Sequence, residues 1–373
     1  MTVMKGRKAI MEIFQAEDVE YMFGNPGTTE LGFIDSLSEY PDIKYILALQ
    51  EGVALGMAHM YSSASGRTGV VNLHVAPGLG NAMGALYNAS VGKMPLVITV
   101  GQQDSRMLVR EPLLAHDLVG MAKPLVKWAV QLQHAEEIPT VIQRAFKVAQ
   151  DPPRGPVLIS LPCDVIEQEI DFRLPVGGGI YRRSKPDPEG INAVTDLILK
   201  SGNPAIICGD GITSSGAQSE IIQVAELIGA PVWTGMFAGN LNFPVSHPHF
   251  QGKLMPDHGG IKAALAEADL ILAVGANLFE EVFYNPVSPL PEGCELIQVD
   301  NSSWDIGKNI PPAIGLLADP KLALAELLDS LNLKMNETAE KIVRDRREAM
   351  AVQKQEERSK QERRIRKAWD ASP

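Results

Sequence analysis

Cysteine is scarce in this sequence. The 373 residues hold three, Cys163, Cys208 and Cys294, far apart and without paired or metal-ligand spacing. That excludes a disulfide framework or a zinc ribbon, and the thiols read as free and buried. Long apolar runs are missing as well: no stretch approaches the roughly 18 consecutive apolar residues of a membrane span. The opening Met1–Lys8 leads straight into an amphipathic helix pattern, with no hydrophobic signal region and no small-residue cleavage site. A cytoplasmic protein with no membrane partner is expected. A basic excess is also absent. The 34 Lys/Arg stand against 45 Asp/Glu, a net charge of −11 with a pI near 5.2. Nucleic-acid binding, which needs an electropositive footprint, is excluded.

What is present is ordinary globular composition, 45% apolar and 21% charged. The length suits two or three domains. Apolar runs at 43–49, 69–73, 96–100 and 157–161 alternate with helical patterns at 52–64, 81–91 and 138–150. Strands separated by helices of this length predict βαβ units on a mostly parallel sheet. Gly177-Gly178-Gly179, then Arg182, Arg183, Lys185, Pro186 and Pro188, read as a linker. A second alternating unit follows, with apolar runs at 205–208, 231–233, 270–274 and 295–299. The expected fold class is therefore α/β. A doubly wound domain spans 1–175, a linker 176–190 and a smaller doubly wound, Rossmann-like domain 191–332. A charged helical segment covers 333–373. Between Glu337 and Lys367 that segment has 11 Lys/Arg and 7 Asp/Glu, a net +4, which leaves −15 for the rest. A solvated helix accounts for this pattern.

Four loops follow predicted strands of the first domain, where ligands of open parallel sheets sit. They are Gly24-Asn25-Pro26-Gly27-Thr28-Thr29-Glu30, Leu49-Gln50-Glu51-Gly52, His74 to Asn81, and Gly101-Gln102-Gln103-Asp104. Each has a plain structural reading: a tight turn with a Thr cap, a carboxylate at a helix start, a core histidine. Glu51 also suits a proton transfer to a ring nitrogen, being a carboxyl group at a sheet edge in apolar surroundings. The glycines Gly78, Gly80 and Gly84 lack the spacing of a dinucleotide fingerprint.

Together these loops resemble the pyrimidine-binding domain of thiamine-diphosphate-dependent enzymes, above all those of the benzoylformate decarboxylase type. The matching runs are Phe23-Gly24-Asn25-Pro26-Gly27, Tyr45-Ile46-Leu47-Ala48-Leu49-Gln50-Glu51, Asn72-Leu73-His74, Gly80-Asn81-Ala82-Met83-Gly84-Ala85-Leu86, Gly101-Gln102-Gln103 and Pro124-Leu125-Val126-Lys127-Trp128. The resemblance continues through the second domain, as at Asn203-Pro204-Ala205-Ile206 and Ala230-Pro231-Val232-Trp233.

The resemblance implies thiamine diphosphate as cofactor and a 2-oxo acid as substrate. It places Glu51 on the glutamate that activates the aminopyrimidine, so that the exocyclic amine deprotonates the thiazolium carbon. His74 falls on a histidine that transfers protons at the substrate-derived oxygen, and Thr28 on a serine that contacts the substrate carboxylate. Pro26, Gly27, Gly78, Asn81 and Gln103 fall on cofactor-facing loop positions. A second catalytic histidine of benzoylformate decarboxylase is replaced by Val282, flanked by Glu281 and Phe283, and an apolar side chain cannot shuttle a proton. Acetolactate synthases are also similar, but their Phe-Gln-Glu is replaced by Leu113-Leu114-Ala115, and their Asp-Asp-Arg by Glu280-Glu281-Val282. Flavin is therefore not expected.

The family binds Mg²⁺ and the diphosphate through Gly-Asp-Gly followed by Asn-Asn. Gly209-Asp210-Gly211 is present, but Asn240 is followed by Leu241 and the stretch aligns with the middle domain. It reads as a decoy, and no metal ligand is assigned in this chain. Mg²⁺ is expected only through a diphosphate-binding domain, which would follow the charged segment. The expected partners are a second copy of the chain or a separate diphosphate-binding subunit. Three functions stay open: the pyrimidine and middle portion of a decarboxylase or carboligase, an acetolactate-synthase-like transferase, or a non-catalytic association module.

Overall fold

A computed structural model describes residues 2–174, 178–235, 237–279 and 282–370. The chain divides into two compact units, Met1–Arg182 and Arg183–Pro373, with the break inside the segment read as a linker.

The first unit runs β1 (Thr2–Lys5), α1 (Gly6–Ala16), β2 (Tyr21–Asn25), α2 (Leu31–Asp35), β3 (Lys44–Leu47), α3 (Glu51–Ser65), β4 (Gly69–Leu73) and α4 (Val75–Val91). It continues with β5 (Leu96–Gln102), α5 (Leu118–Ala122), β6 (Trp128–Gln131), α6 (Ile138–Gln150), β7 (Val157–Pro162), α7 (Cys163–Ile166) and β8 (Glu169–Phe172). Six strands form one parallel sheet in the order β3-β2-β4-β5-β7-β6, and β1 pairs with β8 antiparallel. β4, β5 and β7 are buried along their whole length. That is why they read as unbroken apolar runs rather than alternating ones. One face of the sheet packs a core containing Phe14, Phe33 and Phe146, with Phe14 edge-on to Phe146 at 5.7 Å between ring centroids. The other face is covered by α3 and α4, through Leu55, Leu79 and Leu86 among others.

Connections leave β2 towards β3 on one side, while β4 lies on its other side. This reversal of strand order opens a crevice at the carboxyl ends of β2 and β4, where Asn25 pairs with Leu73. One expectation needs correction. The helix read as 81–91 starts at Val75, directly after His74. Pro77 and the glycines around it look like loop residues. Proline is nonetheless tolerated in a first helical turn, where the N–H groups have no intrahelical partner anyway.

The second unit contains α8 (Pro188–Lys200), β9 (Pro204–Cys208), α9 (Gly211–Ser215), α10 (Gln218–Ile228), β10 (Val232–Thr234), β11 (Phe250–Lys253) and α11 (His258–Ala264). β12 (Leu270–Val274), β13 (Glu295–Asp300), β14 (Ile314–Leu317), α12 (Pro320–Lys334) and α13 (Glu337–Asp370) follow. Its parallel sheet has the order β11-β10-β9-β12-β13-β14, the Rossmann order. At its own switch point, between β9 and β12, main chain fills the space: a Cβ on Gly209 or Gly211 would collide with the backbone of Gly275. Asp210 accepts hydrogen bonds from Gly239 N (2.9 Å), Asn240 N (3.1 Å) and Asn242 Nδ2 (2.8 Å). The Asp210 carboxylate in Gly209-Asp210-Gly211 is thus engaged by the segment 239–242 that follows β10.

The charged segment is helical throughout α13, and Met350 is buried against the unit. Arg346 donates to Ile228 O (3.2 Å) at the end of α10, and Lys354 to Phe250 O (2.7 Å). Among the described residues no helix is long and apolar enough to cross a membrane.

Beside this anchorage His249 is buried, and its Nδ1 donates to Ala230 O at 2.8 Å. Burial holds its pKa below the ordinary histidine value against the hydrogen bond to Ala230 O and the Glu226 charge, while the nearby His247 and Arg347 push the same way as burial. The folded state therefore binds a proton at His249 less readily than the unfolded state, which takes one up near pH 6.5. This contribution to stability is present above that pH and is lost as pH falls below it. The urea midpoint of the wild type is expected to fall more than that of His249→Asn between about pH 7.5 and 5.5. Equal falls would remove His249 from the account.

Candidate active site

Glu51 is the first residue of α3, where a carboxylate favours the helix dipole. Gln50 caps that helix by accepting from Val53 N at 3.0 Å. Glu51 is only 7% exposed. A carboxylate so far from water needs hydrogen-bond donors, and it has two. Asn25 Nδ2, at the end of β2, donates to Oε1 at 3.3 Å, and Asn81 Nδ2, on α4, donates to Oε2 at 2.9 Å. Gly78 lies against the same carboxyl group: a Cβ there would stand 3.3 Å from Oε1. No side chain at position 78 fills the space beside the carboxylate.

A second polar group sits one strand away. Glu30 is buried at 1% exposure. Its Oε2 accepts from Gly27 N (2.8 Å) and lies 2.8 Å from His74 Nδ1, and its Oε1 accepts from Thr29 Oγ1 (2.7 Å). A carboxylate only accepts, so in a neutral His74 ring the proton sits on Nδ1, towards Glu30, and Nε2 is the nitrogen left for a ligand. Gly27 packs directly on the His74 ring, and a Cβ there would overlap it. Val75, the next residue, has φ of 42°, a strained value for a β-branched side chain, at the turn that presents His74. Beneath Glu30, burial and then the Glu30 charge push the Tyr45 hydroxyl above the usual tyrosine range, so it stays a neutral phenol.

The structure thus brings together Glu51, Asn81 and Gly78 in one group, and Gly27 and His74 in another, with Pro26 on the loop between. Thr28 is exposed, and the hydroxyl facing His74 is that of Thr29, 3.4 Å from Nδ1. Gln103 lies past the end of β5, where its Nε2 donates to Leu113 O at 2.9 Å. Val282 is exposed, while Glu280 and Glu281 lie outside the described residues. Asn25, Thr29 and Glu30 are site residues that sequence reasoning passed over. Two carboxylates, a histidine and glycine-cleared space at a switch point are equipped to bind a flat nitrogen heterocycle and move protons at its edge.

Residues 4–121 match the family described as thiamine pyrophosphate enzyme, N-terminal TPP binding domain, and residues 191–327 match its central domain. The chain belongs to the thiamine pyrophosphate enzymes. Benzoylformate decarboxylase of Pseudomonas aeruginosa is 36% identical over 332 residues, covering 87% of this chain and 61% of that protein. Acetolactate synthase large subunit of Haemophilus influenzae is 28% identical, covering 89% of this chain and 59% of that protein. Among solved structures, benzoylformate decarboxylase from Polynucleobacter necessarius matches with a TM-score of 0.82 at 36% identity, over 88% of this chain and 61% of that one. A thiamine diphosphate-dependent 4-hydroxybenzoylformate decarboxylase of Rhodococcus jostii matches with a TM-score of 0.81 at 32% identity, over 87% of this chain and 62% of that one. The chain therefore spans about three fifths of the length of these relatives.

The chemistry of the crevice, a buried carboxyl group with open space beside it, suits the aminopyrimidine end of thiamine diphosphate. The crevice offers a buried carboxylate at Glu51, and Gly78 leaves room beside it. Among the described residues no group of three or more His, Cys, Asp or Glu could hold a metal ion.

Proposed function

We propose that this chain is the pyrimidine-binding and middle portion of a thiamine-diphosphate-dependent 2-oxo acid decarboxylase or carboligase, similar to benzoylformate decarboxylase. A diphosphate- and Mg²⁺-binding domain completes the activity. The observation that carries this reading is the buried Glu51 carboxylate at the sheet's switch point, held by two amide donors and cleared by Gly78. When bound, the cofactor supplies an electron sink for the carbon from which carbon dioxide leaves. The chain's own task is to hold the pyrimidine ring, to keep a carboxyl group against its nitrogen, and to present His74 Nε2 for proton transfer. Leu113-Leu114-Ala115, in place of the Phe-Gln-Glu of acetolactate synthases, favours the decarboxylase reading over that transferase.

The same reading includes pairing with a second copy. α3 and α4 leave Val53, Met60, Tyr87 and Val91 exposed on the surface, and Leu49 at their edge is 94% exposed. Gly56 and Gly84 have open space above them. Exposed apolar side chains on two helices packed against each other support an association face.

One experiment tests both parts. Sedimentation equilibrium of the full chain with thiamine diphosphate and EDTA is expected to give a dimer carrying bound cofactor. A stable monomer would overturn the pairing. A dimer that binds no cofactor would overturn the pyrimidine-site assignment and favour a non-catalytic association module.

A further inference from the structure

We infer that Asn25 and Asn81 are positioning residues that act through Glu51, rather than direct contacts of the cofactor. This rests on the proposed role of Glu51. The three residues come from three different elements: Asn25 ends β2, Glu51 starts α3, and Asn81 lies in the second turn of α4. Each asparagine places one Nδ2 donor on a different oxygen of the same carboxylate, at 3.3 Å and 2.9 Å. An ionised carboxylate has about four lone-pair sites. The two amides take one on each oxygen, fix the rotation of the carboxyl plane, and leave the outward lone pairs to hold a proton shared with a ring nitrogen.

The asparagines are themselves held. Asn25 is fixed by the sheet, where it pairs with Leu73 of β4. The backbone of Asn81 accepts from Gln50 Nε2 at 3.4 Å, and the Oε1 of the same Gln50 caps α3. One glutamine thus ties the start of α3 to the turn of α4 that carries the second donor. With its Nδ2 committed to Glu51, Asn81 acts on a ligand chiefly by orienting that carboxylate. The register of β2 and β4 and the packing of α3 on α4 thereby become a fixed direction for one carboxyl group, which is what a preorganised proton-transfer site needs.

The test compares two probes on the full chain by isothermal titration. One is thiamine diphosphate. The other is its deaza analogue, in which the pyrimidine nitrogen facing Glu51 is replaced by C–H, so that it cannot bond to the carboxyl group. Wild type is expected to prefer the parent cofactor. In Asn81→Ala, and further in Asn25→Ala/Asn81→Ala, that preference is expected to fall about tenfold, the size of one lost charge-assisted bond. Affinity for the analogue stays within about twofold. Asn81 is exposed on a helix, where alanine is well tolerated, so the single variant keeps the test available if the double variant does not fold. Equal losses for both probes would mean direct contact or general damage, and would overturn the inference. An unchanged preference would overturn it too. A wild type that binds both probes but shows no preference between them would instead refute the role of Glu51 itself.

Discussion

Replacing Glu51 by glutamine is expected to slow exchange of the thiazolium proton of bound thiamine diphosphate by about 10²- to 10⁴-fold in the assembled enzyme, the usual contribution of a positioned general acid or base. The side chain keeps its length and most of its shape, so the loss isolates the chemistry. A carboxamide cannot pass a proton to and from the ring nitrogen as a carboxyl group does. It also conflicts with its surroundings. Both oxygens of Glu51 face amide donors, from Asn25 and Asn81. In glutamine one of those oxygens becomes an NH₂ group, which sets donor against donor unless an asparagine turns over. Cofactor affinity is expected to change much less than the exchange rate, because most of the bound surface is untouched. Glu51→Asp keeps the charge but withdraws it by one methylene, and is expected to fall between the two. Deuterium exchange followed by NMR on the acid-quenched cofactor checks this. Exchange in Glu51→Gln as fast as in wild type would remove Glu51 from the reaction.

Glu51 could be found in the sequence because its signals coincide locally: an apolar run that ends, a carboxylate, and a helix pattern that starts at once. The sheets were legible for the same reason, since β4, β5 and β7 are buried on both faces and leave unbroken apolar runs. Asn25 carried no such mark. Its bond to Glu51 depends on which strands are neighbours, a fact of topology spread over residues 21–73. Glu30 was hidden differently: as a carboxylate three residues after Gly27 it reads as an ordinary helix-start residue, and it is indeed bonded to Gly27 N. Only the fold shows that the same Oε2 faces His74. The early start of α4 was concealed by Pro77, Gly78 and Gly80, which score as loop residues wherever they stand.

Alanine at Gly101 is expected to break up the His74–Glu30 group while leaving both residues in place. Gly101 is buried near the end of β5, and a Cβ there would fall inside the Glu30 carboxyl group, with Thr29 Oγ1 at 2.6 Å. The backbone dihedral is not the obstacle, because Gly101 is not among the positive-φ glycines. The obstacle is volume: Glu30 occupies the space that a missing side chain leaves. Inserting a methyl into a close-packed site typically costs about 1–3 kcal/mol. The cheapest relief is to swing Glu30 away, which breaks its bonds to Gly27 N, Thr29 and His74 together. Gly27→Ala attacks the same group from the opposite side, through the His74 ring, and its φ of −131° is open to any residue. Gly78→Ala is the control. Its Cβ would stand 3.3 Å from Glu51 Oε1, a crowding that shifts of a few tenths of an ångström relieve. The ¹⁵N spectrum of His74 is expected to lose its fixed Nδ1–H tautomer in the first two variants only. Retention of that tautomer in Gly101→Ala would show that Glu30 does not orient the histidine. The group would then be a packing feature rather than part of the site.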